Sequence, residues 1–407
     1  MDALLLNGKD FFRGNNSVML ENVGAYTVKD VAVYEKKDEM AYVLGEDRED
    51  VDKEFVMDVR LKKDYMTGYI LNAQAGAGTA SRYLGRLFAM QYTNNTRLAL
   101  YGNINNINKS SNLSDSNTEI FIDEDLGITK RITGGLDYEV DNASHTWELG
   151  GMVDASYIDN KNSTITNTVN FFPDNDTYEF SDLSSRSRDF KISTNHNWKL
   201  KKEKWNIAVK PKFSYNKNRN NDETTAAAFR EEMQELDAQI VKAIYSGNYP
   251  ALQAALINRN LKVYESDGHG WDSQLNAEAR VKVPGSPDAM AIKFQTKYSR
   301  SSLFGNTLQD ICFGAAPETS LLQNRSSSTR PRYNFNIQGL VRYYFNIPMG
   351  NLHTSYEYAH TQTRKNSDIY LMEATAQDGM AEFAPDQIPV PDFDNCYTRS
   401  YIRMSIA

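Results

Sequence analysis

From about residue 65 onward the chain keeps a two-residue period, and the runs that carry it are long. Between Arg131 and Val140, Ile132, Leu136, Tyr138 and Val140 fall on one face with Gly134, while Arg131, Thr133, Asp137 and Glu139 fall on the other. Trp205, Ile207, Val209, Phe213 and Tyr215 alternate in the same way with Asn206, Lys210, Lys212 and Ser214. Leu275, Ala277, Ala279, Val281 and Val283 alternate with Gln274, Asn276, Glu278, Arg280 and Lys282. A helix cannot segregate residues like this, so the runs are strands with one apolar and one polar face. About twelve are recognisable, at 66–76, 81–93, 96–106, 128–140, 146–158, 186–200, 205–217, 273–284, 289–300, 331–345, 351–364 and 395–407. Most span 11–15 residues, against roughly 5–6 in globular sheets and 9–11 for a strand that crosses a bilayer.

The connections alternate in length. Short ones (Asn94–Asn95, 141–145, 201–204, 284–288 and 347–351) are interleaved with long ones at 107–127, 159–185, 218–272, 301–330 and 365–394. Antiparallel strands place every second connection at the same end, so one end carries tight turns and the other long loops. Outer-membrane barrels have that asymmetry, and a soluble sandwich has no reason to sort its loops by end. Aromatic residues near run ends (Tyr92, Trp147, Trp198, Trp205, Phe345) suit interfacial girdles, and each also suits ordinary core. The expected fold is mainly β, an antiparallel transmembrane barrel.

Composition sets limits on function. The chain is 11% aromatic and 40% hydrophobic, too rich for disorder. Its net charge of −8 is spread along the sequence without a basic stripe, so nucleic-acid binding has no electrostatic support. No apolar run approaches the roughly 20 residues of a membrane helix. Cys312 and Cys396 stand far apart and outside any CxxC, and read as incidental more readily than as a metal or redox pair.

Residues 1–64 are different, with short apolar runs between acidic linkers such as GEDREDVDKE at 45–54. They suggest a small mixed unit of strands with a short helix. The start, MDALLLNGKDFF, lacks a secretory apolar stretch. That fits either a cytoplasmic chain or one whose beginning is missing, and the strand pattern favours the second. Within the long connection 218–272, Phe229, Met233, Leu236, Ile240 and Ile244 recur at helical spacing after Asp222 and Thr224, and Pro250 is placed to open a second helix. This predicts a helical insertion over 222–258. Its apolar stripe would pack helix on helix, or serve as a lid or partner-docking surface.

Residues 1–106 resemble the TonB-dependent receptor family, in particular receptor-like barrels of the Bacteroidetes type. LLLNGKDFF at 4–12 looks like a plug strand, and 20–36 is similar to the plug's helix-then-strand segment. FVMDVRLKKDY at 55–65 looks like the last plug strand, and 68–108 like the first three barrel strands. The resemblance implies the C-terminal part of a plug over 1–64 and the first portion of a barrel of about 22 strands over 65–407. It also implies energy-coupled uptake of a bulky nutrient, such as a glycan, peptide, iron chelate or cobalamin. The implied partners are outer-membrane lipid, an inner-membrane energy-coupling complex and a surface lipoprotein. On this reading the chain is a fragment, because the first half of the plug and about ten strands are missing and the end lacks the usual terminal aromatic.

Signals for catalysis are poor, and the expectation is no enzyme and no cofactor. The five histidines are scattered, and no HExxH, GxSxG or GxxxxGK[ST] occurs. Carboxylates at Asp47, Asp50 and Asp52, at Asp123, Glu124 and Asp125, and at Asp174 and Asp176 read as solvated loop charge or as loop calcium sites without EF-hand spacing. The polar strand faces offer the better candidates. Arg131, Lys191, Lys210, Lys212, Arg280, Lys293, Lys297, Arg332 and Arg342 are expected to face the lumen, either bonding the plug and water or guiding a polar or anionic solute. The leading function is import; the competitors are a non-transporting docking barrel or adhesin, and a membrane-embedded enzyme for which convergent acid, base or nucleophile residues are not evident.

Overall fold

The computed structural model describes residues 3–9, 23–37, 53–65, 67–108, 127–173, 175–315, 321–328, 332–347, 350–365, 368–372 and 395–406. An N-terminal unit comes first. Strand β1 (Ala3–Leu6) runs parallel to β3 (Lys53–Leu61), and β2 (Val28–Lys37) pairs antiparallel on the other side of β3. A single 3-10 turn at Ala25–Thr27 leads into β2.

The rest is one antiparallel sheet. In chain order its strands are β4 (Gly68–Ala77), β5 (Tyr83–Tyr92), β6 (Thr96–Asn105), β7 (Ile128–Asp141), β8 (Trp147–Asn170), β9 (Thr177–Lys202) and β10 (Trp205–Phe229). They continue as β11 (Leu256–Lys282), β12 (Ala289–Phe313), β13 (Leu321–Ser328), β14 (Arg332–Ile347), β15 (Gly350–Lys365), β16 (Asp368–Met372) and β17 (Asn395–Ile406). Each of β4 to β12 pairs with its sequence neighbours, and the path continues through β14, β15 and β17. β13 pairs with the upper part of β12 and then with β16. All twelve expected strands are present. The fold is mainly β, a meander consistent with part of a barrel wall, with β4 and β17 at its two edges among the described residues.

The two-residue period becomes two unlike faces. In β6, Leu98 and Leu100 are 41% and 49% exposed, while Ala99 is 0% and Tyr101 5% exposed. Cross-strand register carries the exposed apolar face through Leu136, Leu149, Trp198, Ile207, Phe213, Ile292, Phe294, Val341 and Tyr356. This is the reverse of a soluble sandwich, in which apolar faces meet each other. Among the described residues, no second sheet covers the apolar face of the meander.

Aromatic residues border that face in two rows. Toward the short turns lie Trp147, Trp198, Trp205, Tyr343 and Phe345, with Tyr343 and Phe345 4.6 Å apart between ring centroids. Toward the other end lie Phe190, Tyr215, Phe213, Trp271, Tyr298 and Phe335, in contact as neighbouring pairs such as Trp271–Tyr298 at 5.0 Å. Trp205 and Tyr215 are ten residues apart on β10. That separation is about 33 Å along the strand and about 25 Å along a membrane normal at a typical barrel tilt. All four tryptophans take part in these rows. Tyr92 does not. It lies on the polar face, 5% exposed, packed under the N-terminal unit, because its parity in β5 matches Phe88 and Met90.

Two expectations about the long connections need correction. The stretches 159–185, 218–272 and 301–330 are mostly strand, since β8 to β12 are 24–27 residues long and continue past the upper aromatic row. The segment 222–229, expected as helix, is the end of β10, hydrogen-bonded to β9 on one side and β11 on the other. Within 222–258, helix is confined to α1 (Ala238–Lys242) and α2 (Pro250–Ala255), and 256–258 is already strand. Asp237 caps α1 by accepting from the Ile240 N–H at 2.7 Å, in place of Asp222 or Thr224. Pro250 opens α2 as expected. The apolar stripe is real but is not a continuous helix: Phe229, Val241 and Ile244 converge with Phe180 and Leu256, and Met233 and Leu236 pack beside them. The two helices thus pack against strands.

Candidate functional site

The polar face divides into two regions. Over β5 to β7 it is covered by the N-terminal unit. Leu4, Leu6, Val59 and Leu61 join Phe88, Met90, Tyr92, Ala99 and Tyr101 in one cluster of buried side chains. Apolar contact alone would not fix the orientation, and polar contacts supply it. The Lys9 ammonium lies 3.0 Å from Glu139 and 2.6 Å from Asp141, carboxylates that are 3% and 1% exposed. Arg97 donates to the Leu6 carbonyl at 2.8 Å, and Asn95 and His145 also bond the Asp141 carboxylate. Burial works against the Lys9 charge, but the hydrogen bonds and charges of Asp141 and Glu139 outweigh it and hold the group above the ordinary lysine value. Within the unit, Asp58 accepts from the Gly8 N–H at 2.7 Å and the Asn7 side chain accepts from the Leu61 N–H at 2.8 Å, so the Asn-Gly turn after β1 is tied to β3.

The second region, over β9 to β14, is basic and open. Register places Lys191 opposite Ser156, Lys210 opposite Asn276, Lys212 opposite Gln274, Arg280 opposite Ala291 and Lys293 opposite Glu278. Arg342 stands opposite Ala291 and Arg332 opposite Ser301, while Arg131 is opposite Ile158 at the β7–β8 boundary. All eight fall on the face opposite the exposed apolar residues. Glu278 gathers two of them, accepting from Arg280 at 2.7 Å and lying 3.8 Å from Lys293. Arg342 donates to the Tyr344 hydroxyl at 3.4 Å. Lys191, Lys210 and Lys212 make no ion pair among the described residues, so three ammonium groups stand free on adjacent strands.

Sequence reasoning missed the Lys9 latch, whose only signal was a pair of acidic residues spaced by two on one strand face. The calcium candidates Asp123, Asp125 and Asp174, with Glu124 and the Asp47, Asp50 and Asp52 group, lie outside the described residues. Asp176 lies just before β9, and the described residues contain no metal-sized cluster of histidine, cysteine and carboxylate groups. Cys312 is a buried free thiol on β12, and Cys396 is on β17 beside Arg364, with β14 and β15 between the two strands. No helix is long and apolar enough to cross a membrane, which says nothing about spanning by strands.

No family model matches the chain, and no curated protein matches it. Among solved structures, one match is to a copper transporter, OprC, at 8% identity. The match covers 99% of this chain and 81% of that one, with a TM-score of 0.18, and it assigns neither substrate nor mechanism.

Proposed function

We propose that the chain forms part of an outer-membrane barrel that imports a bulky polar nutrient, in the manner of a TonB-dependent receptor. One observation carries this reading: the meander turns its apolar face outward between two aromatic rows, while its polar face receives the N-terminal unit. That arrangement suits hydrocarbon outside and a stoppered aqueous path inside. The N-terminal unit then acts as part of a plug, and its ionic latch is the contact an inner-membrane energy-coupling complex would have to loosen. The open row of Lys191, Lys210 and Lys212 favours solutes that carry negative charge, such as acidic glycans or anionic chelates, because fixed cations in a confined aqueous path raise local anion concentration. Outer-membrane lipid and a surface lipoprotein are the remaining partners on this reading.

Uptake by cells with and without the intact gene tests the proposal, using a panel of anionic and neutral glycans and metal chelates. Loss of uptake of at least one solute, reproduced by collapsing the proton-motive force, is the expected result. Unchanged uptake of the whole panel would overturn import. A docking role has one observation in its favour. The strands beyond the upper aromatic row carry α1 and α2 at their tips, and the outer sides of these helices, above a buried apolar cluster, form a raised surface that a second protein could engage.

A further inference from the structure

Just beyond the upper aromatic row, on the continuation of the apolar face, three arginines converge. Arg188 on β9 is directly opposite Arg219 on β10 in the ladder, and Arg186 lies two residues further along the same face. Directly opposed like charges are destabilising in a sheet, and diagonal neighbours stay within about 7–8 Å. Two of the nearby carboxylates are already engaged, while Glu265 in the same cavity makes no ion pair among the described residues. Asp159 accepts from Arg186 at 2.8 and 2.5 Å, and Asp267 accepts from Arg219 at 2.6 Å. Arg188 makes no ion pair among the described residues. The three arginines line a cavity of about 410 Å³ with Glu265, Asp267 and Phe304. Lys161 and Lys217 share this face without lining the cavity, so across the wider patch five cations stand against Asp159, Glu265 and Asp267, a surplus of two.

We propose that this cavity binds the phosphate of a phosphorylated saccharide headgroup belonging to an outer-leaflet lipid. The planar fork of arginine matches phosphate oxygens two at a time, and three forks on adjacent strands suit a tetrahedral anion. The height selects the source. A group held one or two residue rows above interfacial aromatics lies at the level of lipid headgroups, and Phe304 offers an apolar surface to the saccharide. The inference rests on the outer-membrane reading.

The test uses the full chain in detergent micelles and three probes: a bisphosphorylated acylated glucosamine disaccharide, its dephosphorylated form, and inorganic phosphate. Arg188→Gln is expected to weaken binding of the phosphorylated lipid about tenfold, and Arg188→Lys to restore part of it. The dephosphorylated lipid is expected to bind wild type and Arg188→Gln alike. Equal affinity of wild type and Arg188→Gln for the phosphorylated lipid would overturn the site. Inorganic phosphate binding as tightly as the lipid would overturn the headgroup assignment. Quenching of the tryptophans by lipid-attached bromine separates the two levels: without it the membrane reading fails, and with it a null Arg188→Gln result condemns the cavity alone.

Discussion

Lys9 of the N-terminal unit lies 2.6 Å from Asp141, the last residue of β7, across 132 positions of sequence. Replacing Lys9 with Met leaves Glu139 and Asp141 buried without their cation. The expected cost is about 2–3 kcal/mol, discounted from a fully buried pair because Lys9 retains some exposure. Hydrogen exchange at residues 3–9 should accelerate while that of β9 to β11 stays constant; unchanged exchange in both would remove the latch. Because the folded-state value of Lys9 is raised, its contribution is complete below the ordinary lysine value. It fades only as pH climbs through the raised value, so wild type should come to resemble Lys9→Met in strong alkali and differ from it at neutrality.

Leu100 tests which solvent the apolar face meets. It is 49% exposed in the middle of β6. In lipid, Leu100→Arg should destabilise refolding into vesicles by about 2–4 kcal/mol relative to Leu100→Ala. In water the same change would be close to neutral. A urea titration of vesicle-refolded protein decides, and equal midpoints for the two variants would reject hydrocarbon at this position.

The tryptophans give an optical readout. Trp147, Trp198 and Trp205 belong to one aromatic row and Trp271 to the other. Bromine near the lipid glycerol should quench emission more than bromine at the acyl-chain ends, with little quenching by aqueous acrylamide. The opposite order of quenchers would contradict the two-row geometry.

Arg259 anchors the helical tip. Its guanidinium lies 4.8 Å from the Tyr245 ring centre, donates to Asp310 at 2.9 Å and bonds the Lys242 carbonyl at 3.1 Å. It also closes over Cys312, which is 3% exposed. In a Cys396→Ser background, Arg259→Ala should release α1 and α2 locally and speed maleimide labelling of Cys312 at least tenfold. Labelling at the wild-type rate would show that the tip is held by its apolar cluster alone.

The twelve strands were legible because one face of each is predominantly apolar, which makes a period of two visible against any other. Beyond Phe190 and Tyr215 that contrast fades. In 159–164 and 216–225 both faces are polar, so strands there look like loops, and only the ladders with their neighbours reveal them. The Phe229 to Ile244 spacing misled for a different reason. A helical period also arises when a strand end, a turn and one short helix all aim at the same cluster. Tyr92 read as a girdle residue from its place near a run end, whereas its parity with Phe88 and Met90 puts it on the opposite face. The basic residues of the polar face were predictable from parity. Lys9 was not, because its partners come from a strand that the sequence alone does not bring near it.

The unequal reach of the strands gives the mouth of this wall a slant. On β10, fourteen residues separate Tyr215 from Phe229, about 46 Å along the strand and about 35 Å upward at a usual tilt. Among the described residues, β5 and β6 end without any such extension. The wall therefore stands tall over β8 to β12 and low over the strands on which the N-terminal unit is docked.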